Sequence, residues 1–366
     1  MTGRPRPSFR HLQRLSDDTG LFEHAEFSTP RISHGYCVDD VARGLLVICR
    51  EPEAPVDLLQ LAGRYLAFLI DAQSPDGAFR NRLGPDRRWQ DKPADGDWWG
   101  RALWGLGTAA ARSPLRAMRE TALTSFELGA HRRTRWPRAM AFAALGAAEV
   151  LAVHPDHSAA RWLLHDAVVT IGPVPMDPAW SWPEPRLTYA NAALAETLIA
   201  ASGGAMTDGL RMLGWLLDRE TAGGHLSCTP VGGRGPQDVA PGFDQQPIEA
   251  AAIADACARA MTVSADPRWE AGLRLAVGWF LGANDGAQPM FDAATGGGHD
   301  GLTATGRNEN QGAESTLALL TTLQHAHRLG IGPGGTPGNG PARKPAPPAP
   351  PRVNGQRRDD APAFQP

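Results

Sequence analysis

The chain has 366 residues, 42% of them apolar and 20% charged, with a net charge of −3. So mild a charge supplies no field for nucleic acid or an anionic membrane, and no apolar run reaches the length of a bilayer span. Its four cysteines, Cys37, Cys49, Cys228 and Cys257, lack metal-ligand spacing; Cys37, Cys49 and Cys257, in or beside predicted helices, read as small apolar residues, and no metal or cofactor is expected.

In chain order, Phe9 to Leu15 suits a short helix. Met1 to Leu15 is basic and polar, without the apolar core of a signal peptide, so a cytoplasmic location is expected. Asp39-Asp40 opens a helix over about 38–49 that is rich in small residues, and an amphipathic partner follows over 56–72. A second pair covers about 98–112 and 115–129, and a third 137–153 and 158–170. The proline-rich stretch 173–185 reads as an extended loop carrying Trp180, Trp182 and Glu184. A fourth pair covers 189–201 and 206–219, followed by a hairpin-like turn at Gly224-His225. A fifth covers 247–261 and 267–281, with Pro247 suited to a first helical position. One more small-residue helix spans about 311–328. From 331 to 366 Pro, Gly and Arg dominate, and a disordered tail is expected.

The polar openings of the small-residue helices recur every 40–65 residues or so, the interval of a helical repeat. Long, unequal loops before those helices favour a closed ring with one decorated face over an open solenoid. Six such openings with tryptophan-rich loops resemble the six-hairpin, (α/α)6-barrel glycosidase-like superfamily. The segments His34-Gly35-Tyr36-Cys37-Val38-Asp39-Asp40-Val41-Ala42-Arg43 and Gly306-Arg307-Asn308-Glu309-Asn310-Gln311-Gly312-Ala313-Glu314-Ser315-Thr316 also resemble a bacterial group often labelled glycosyltransferase or glycosidase-like. The resemblance implies an all-α (α/α)6 toroid over residues 1–330, with the N-terminal ends of the inner helices opening into one cleft.

Glycosidic hydrolysis needs two carboxyl groups, about 5–5.5 Å apart for retention and about 6.5–9.5 Å for inversion. The catalytic candidates are Asp40, Glu184, Asp244, Glu249 and Glu309, with Glu314 also in view. Each has a plainer alternative: Asp39 or Asp40 could cap its helix, and Asp97 could pair with Arg101 at i,i+4. Glu249 stands one turn inside an alanine-rich helix, where a carboxylate is costly unless it faces a wet cavity. Candidate sugar contacts are Asp39, Asp97, Trp98, Trp99, Arg101, Trp182, Tyr189, Asn191, Gln245, Gln246, Asn308 and Asn310, since amides and flat aromatic faces suit hydroxyl-rich rings. The expected function is therefore glycoside hydrolysis of an oligosaccharide or polysaccharide. Sugar epimerisation or isomerisation with His34, His225 or His299 as bases is the alternative, and a non-catalytic glycan-binding or glycosyltransferase-accessory role is a third.

Overall fold

The computed structural model describes residues 6–331; nearly all of the stretch read as a tail lies outside them. At its near end Ile331 is buried in the core, so packing continues just past the expected limit at 330. Among the described residues twelve α-helices form: α1 (Arg10–Arg14), α2 (Val38–Cys49), α3 (Val56–Ala72), α4 (Asp97–Arg112), α5 (Arg116–Gly129), α6 (Pro137–Val153), α7 (Ser158–Ile171), α8 (Ala192–Ala200), α9 (Gly203–Arg219), α10 (Pro247–Val263), α11 (Arg268–Phe280) and α12 (Ala313–Leu329).

The even-numbered helices close a ring. Each packs on the next, from α2 to α4, α6, α8, α10 and α12, and α12 returns to α2. Each of α3, α5, α7, α9 and α11 lies outside the inner helix that precedes it. Among the described residues no outer helix follows α12 to complete the sixth hairpin. Its place is taken by the five-residue α1, which packs on α12 and buries Leu12, with Leu15 buried just beyond its end.

Small residues set the inner ring's spacing. A β-carbon at Gly146 would lie 2.2 Å from the carbonyl of Leu103, and one at Gly107 would lie 2.3 Å from that of Gly146. A β-carbon at Gly100 would lie 2.2 Å from the carbonyl of Ala139. Backbone thus meets backbone between α4 and α6, an approach only glycine permits. Buried on nearly every face, α6 lacks a strong apolar stripe, unlike amphipathic α3.

The decorated face carries four short hairpin-like ladders. Ala25–Glu26 (β1) pairs with Thr29–Pro30 (β2), and Tyr36–Cys37 (β3) pairs with Arg82–Leu83 (β4). Thr221–Ala222 (β5) pairs with His225–Leu226 (β6) through Gly223 and Gly224, both at positive φ, as a tight hairpin turn requires. Gly301–Thr303 (β7) and Gly306–Asn308 (β8) form a hairpin just before α12, and Leu302 also bridges to Gln245 ahead of α10. Helix α8 begins at Ala192, three residues later than its sequence suggests, because residues 188–191 turn with Ala190 at positive φ.

Candidate active site at the mouth of the ring

The N-terminal ends of α2, α10 and α12 border a cavity of about 320 Å³. Glu23, His24, Cys37, Asp39, Asp40, Gln246, Asn308 and Glu314 are among its lining residues. Below it, on the ring axis, a throat of about 40 Å³ is bounded by Arg43, Arg101, Trp104, Phe142, Glu196, Asp255 and Glu314, among others. Glu314 lines both spaces.

Arg43, one turn inside α2, organises the mouth. Its Nη1 donates to Asp40 Oδ1 and also contacts Glu314 Oε2, each at 2.9 Å, while Nη2 binds Asp39. Neither aspartate caps α2. Both carboxyls are turned toward arginines, because a buried charge without a partner is costly. Two oxygens 2.9 Å from one nitrogen can be no more than about 5.8 Å apart, within reach of the shorter carboxyl spacing of glycoside hydrolysis. Burial pushes the Asp40 carboxyl well above the ordinary range, against the pull of Arg43.

Arg101 lies across the throat. It stacks 3.5 Å over the Phe142 ring and is only 7% exposed. Its Nε is 3.7 Å from Asp39 Oδ1, too far for a hydrogen bond, and both atoms are sealed without a hydrogen-bonding partner. Asp97, one turn before Arg101, instead accepts the phenol of Tyr189. Burial raises the Asp97 pKa.

The polar belt continues beneath Tyr189, whose ring lies 4.9 Å from the Arg138 guanidinium. Arg138 holds Glu184 through both carboxylate oxygens, at 2.8 and 2.9 Å, and donates to Asn191 Oδ1 at 3.0 Å. Glu249 accepts from the Ala190 N–H at 2.5 Å, the Asn191 N–H at 3.3 Å and Asn191 Nδ2 at 3.2 Å. It therefore joins α10 to the turn that opens α8. Burial, reinforced by Glu220, pushes its pKa up to about 8.

The remaining sequence candidates disperse. Asp244 is exposed on the loop before α10. Gln245 is fully buried, donating to Gly242 O and Asp285 and accepting from Trp279. Glu309 is half exposed beside Arg307, and Asn310 accepts from the Phe27 N–H. Trp99 and Trp182 are completely enclosed, and partly buried Trp98 donates to Phe79 O, so all three serve in packing. Exposed aromatic faces at the inner-helix heads belong instead to Tyr189 and to Trp136, 52% exposed just before α6.

Among the histidines, His225 pairs with Asp285, and exposed His34 meets His24 edge-on with ring centroids 5.0 Å apart. His299 is buried without a hydrogen-bonding partner. Arg43, Arg138, Glu23 and His24 escaped sequence selection. The only signal for Arg43 was its i+3 and i+4 spacing from the acidic pair.

No protein-family model and no curated protein matches the chain. Solved structures do match its fold. A sugar epimerase from a ruminal bacterium aligns over 87% of this chain and 95% of its own, with a TM-score of 0.62 at 11% identity. The cellobiose 2-epimerase of Spirochaeta thermophila aligns over 87% and 93%, with a TM-score of 0.62 at 12% identity. The chain shares the (α/α)6-toroid fold of these structures. The toroid also resembles the cellulase Cel9M of C. cellulolyticium over 85% of this chain and 88% of that one, with a TM-score of 0.58 at 10% identity. No helix among the toroid's described residues is long and apolar enough to cross a membrane.

Proposed function

We propose that the toroid is a carbohydrate-active enzyme whose mouth hydrolyses glycosidic bonds, with Asp40 as general acid and Glu314 as the second carboxylate. The observation that carries this reading is the pair itself: two carboxyls from different inner helices, bound to one Arg43 nitrogen and lining one sugar-sized cavity. Burial raises the Asp40 pKa well above the ordinary carboxyl range, the direction that proton delivery to a leaving oxygen requires. More exposed Glu314 is free to meet the anomeric carbon. At a separation below about 5.8 Å, Glu314 suits the nucleophile of a retaining mechanism. Attack at the anomeric carbon displaces the leaving oxygen, which takes the Asp40 proton. Water then cleaves the glycosyl ester with the Asp40 carboxylate as base.

A second reading has one observation in its favour: His24 lines the same cavity and could move a proton at a sugar carbon. A sugar epimerase and a cellulase among structures of this fold are compatible with either chemistry.

The test is incubation with a panel of neutral oligosaccharides, followed by reducing-end release and mass-resolved product analysis. Hydrolysis is expected, with Asp40→Asn and Glu314→Gln each lowering it at least 100-fold, the lower end of acid–base contributions. Mass-neutral conversion abolished by His24→Ala would transfer the reading to epimerisation. Binding without turnover would make the toroid a glycan-binding protein.

A further inference from the structure

Arg101 is unusual among the arginines of the mouth. Arg43 and Arg138 each hold carboxylates through their Nη groups, although Arg43 Nε is buried without a partner, whereas no described residue accepts any hydrogen bond from Arg101. Its nearest carboxylate oxygen, 3.7 Å away, belongs to Asp39. A guanidinium offers five N–H donors, and enclosing it unsatisfied is expensive. The side chain is nonetheless pinned, with Phe142 against its face and Trp104 beside it. It lines the throat immediately below the mouth. So fixed a donor array awaits an acceptor from outside the protein.

The throat limits what that acceptor can be. Its volume of about 40 Å³ admits a few waters or one small exocyclic group, and excludes a sugar ring. The larger cavity above accommodates a ring. The surrounding charge also selects. Asp39 and Glu314 stand near Arg101, and Glu196, whose Oε2 is buried without a partner, lines the same throat. An entering carboxylate or phosphate would meet these acids. A hydroxyl accepts from Arg101 and can also donate its own proton to a neighbouring acceptor, directly or through water.

We propose that Arg101 is a specificity-determining residue whose guanidinium receives the exocyclic hydroxymethyl group of a neutral sugar lodged end-on in the mouth. The inference rests on the sugar-processing reading above and deepens it. It makes the substrate a neutral hexosyl end, and it makes the enzyme act at chain ends, because the throat closes below one substituent. A uronic acid or a 6-phosphorylated sugar is rejected at the same place.

The experiment measures binding by calorimetry or saturation-transfer NMR, using the full chain with D-glucose, D-mannose, 6-deoxy-D-glucose, 6-deoxy-D-mannose and D-glucuronate. For wild type, the better-bound hexose should exceed its 6-deoxy counterpart by about tenfold, the effect of roughly one charge-assisted hydrogen bond. Glucuronate should bind no better than the 6-deoxy sugar. In Arg101→Lys and Arg101→Ala the hexose should lose the same factor while the 6-deoxy sugar is unaffected, closing a double-mutant cycle. Because the 6-deoxy comparison works on wild type alone, a variant that fails to fold leaves the test intact. Hexose binding with no 6-deoxy penalty overturns the Arg101 assignment and leaves the sugar reading standing. Preference for glucuronate overturns it in favour of an anion site. If none of the five sugars binds wild type, this inference falls, and the absence of turnover on the oligosaccharide panel would show whether the sugar reading falls with it.

Discussion

At the scale of single residues, burial determines how the ring responds to pH. Burial pushes Glu196 up to about 7 and Glu249 up to about 8. The folded ring thus holds protons that the unfolded chain releases near pH 4.5, and folding loses stability as pH rises through the interval between. His11, His299 and His325 act oppositely below about pH 6.5, since burial lowers each of their pKa values. Between about pH 6.5 and 8 the carboxyl effect stands alone. The melting temperature should therefore fall across that window, and Glu196→Gln should flatten the fall. A melting temperature that rises from 6.5 to 8 would contradict this account. In the sequence Glu196 was one acid inside an alanine-rich helix. Its neighbours Arg259, Asp255 and Arg50 come from other helices, so sequence spacing gave no hint of its burial.

At the scale of elements, the same substitution should change sign with its place in the ring. Glycine in a helix interior costs roughly 1 kcal/mol relative to alanine. On outer helix α3, a β-carbon at Gly63 meets nothing within 4 Å. Gly63→Ala should therefore stabilise by about 0.5–1 kcal/mol. On inner helix α6, a β-carbon at Gly146 would stand 2.2 Å from the backbone of α4. Gly146→Ala should destabilise by about 2–3 kcal/mol, because both helices must part. Urea unfolding of the two variants measures both signs; equal effects would mean that backbone contact does not set the ring's spacing. Small residues in the sequence predicted close packing here, but not which glycine touches which carbonyl. That depends on the relative rotation of two helices.

At the scale of the whole molecule, the outer layer of the ring is completed by a segment far away in sequence. Helix α1 completes the sixth hairpin: Leu12 and Leu15 are fully buried, and His11 Nε2 pairs with Gln311 O at 2.8 Å. Removing residues 1–15 should cost about 3–6 kcal/mol for the two leucines alone, at roughly 1.5–3 kcal/mol each. It should also loosen the loop that precedes α12 and brings Glu314 to the mouth. Denaturant unfolding together with sugar binding by the truncated chain tests this. Unchanged stability would make α1 an ornament and leave the sixth hairpin open.

What the sequence determined by itself is local and periodic. Alternation of small-residue and amphipathic helices specified a repeat of helix pairs, and long, unequal loops favoured a closed ring, because 3.6-residue spacing and turn chemistry are written along the chain. It also placed the polar heads of the inner helices, where capping and helix-end chemistry confine such residues. Only the tertiary structure decided which heads meet. Asp40 and Glu314 share Arg43, Glu184 is held by Arg138, and Glu249 binds the turn before α8, whereas Asp244 stays in solvent. Those pairings join residues tens to hundreds of positions apart. They depend on how six helices turn about a common axis, a geometry that side-chain packing sets and sequence spacing does not encode.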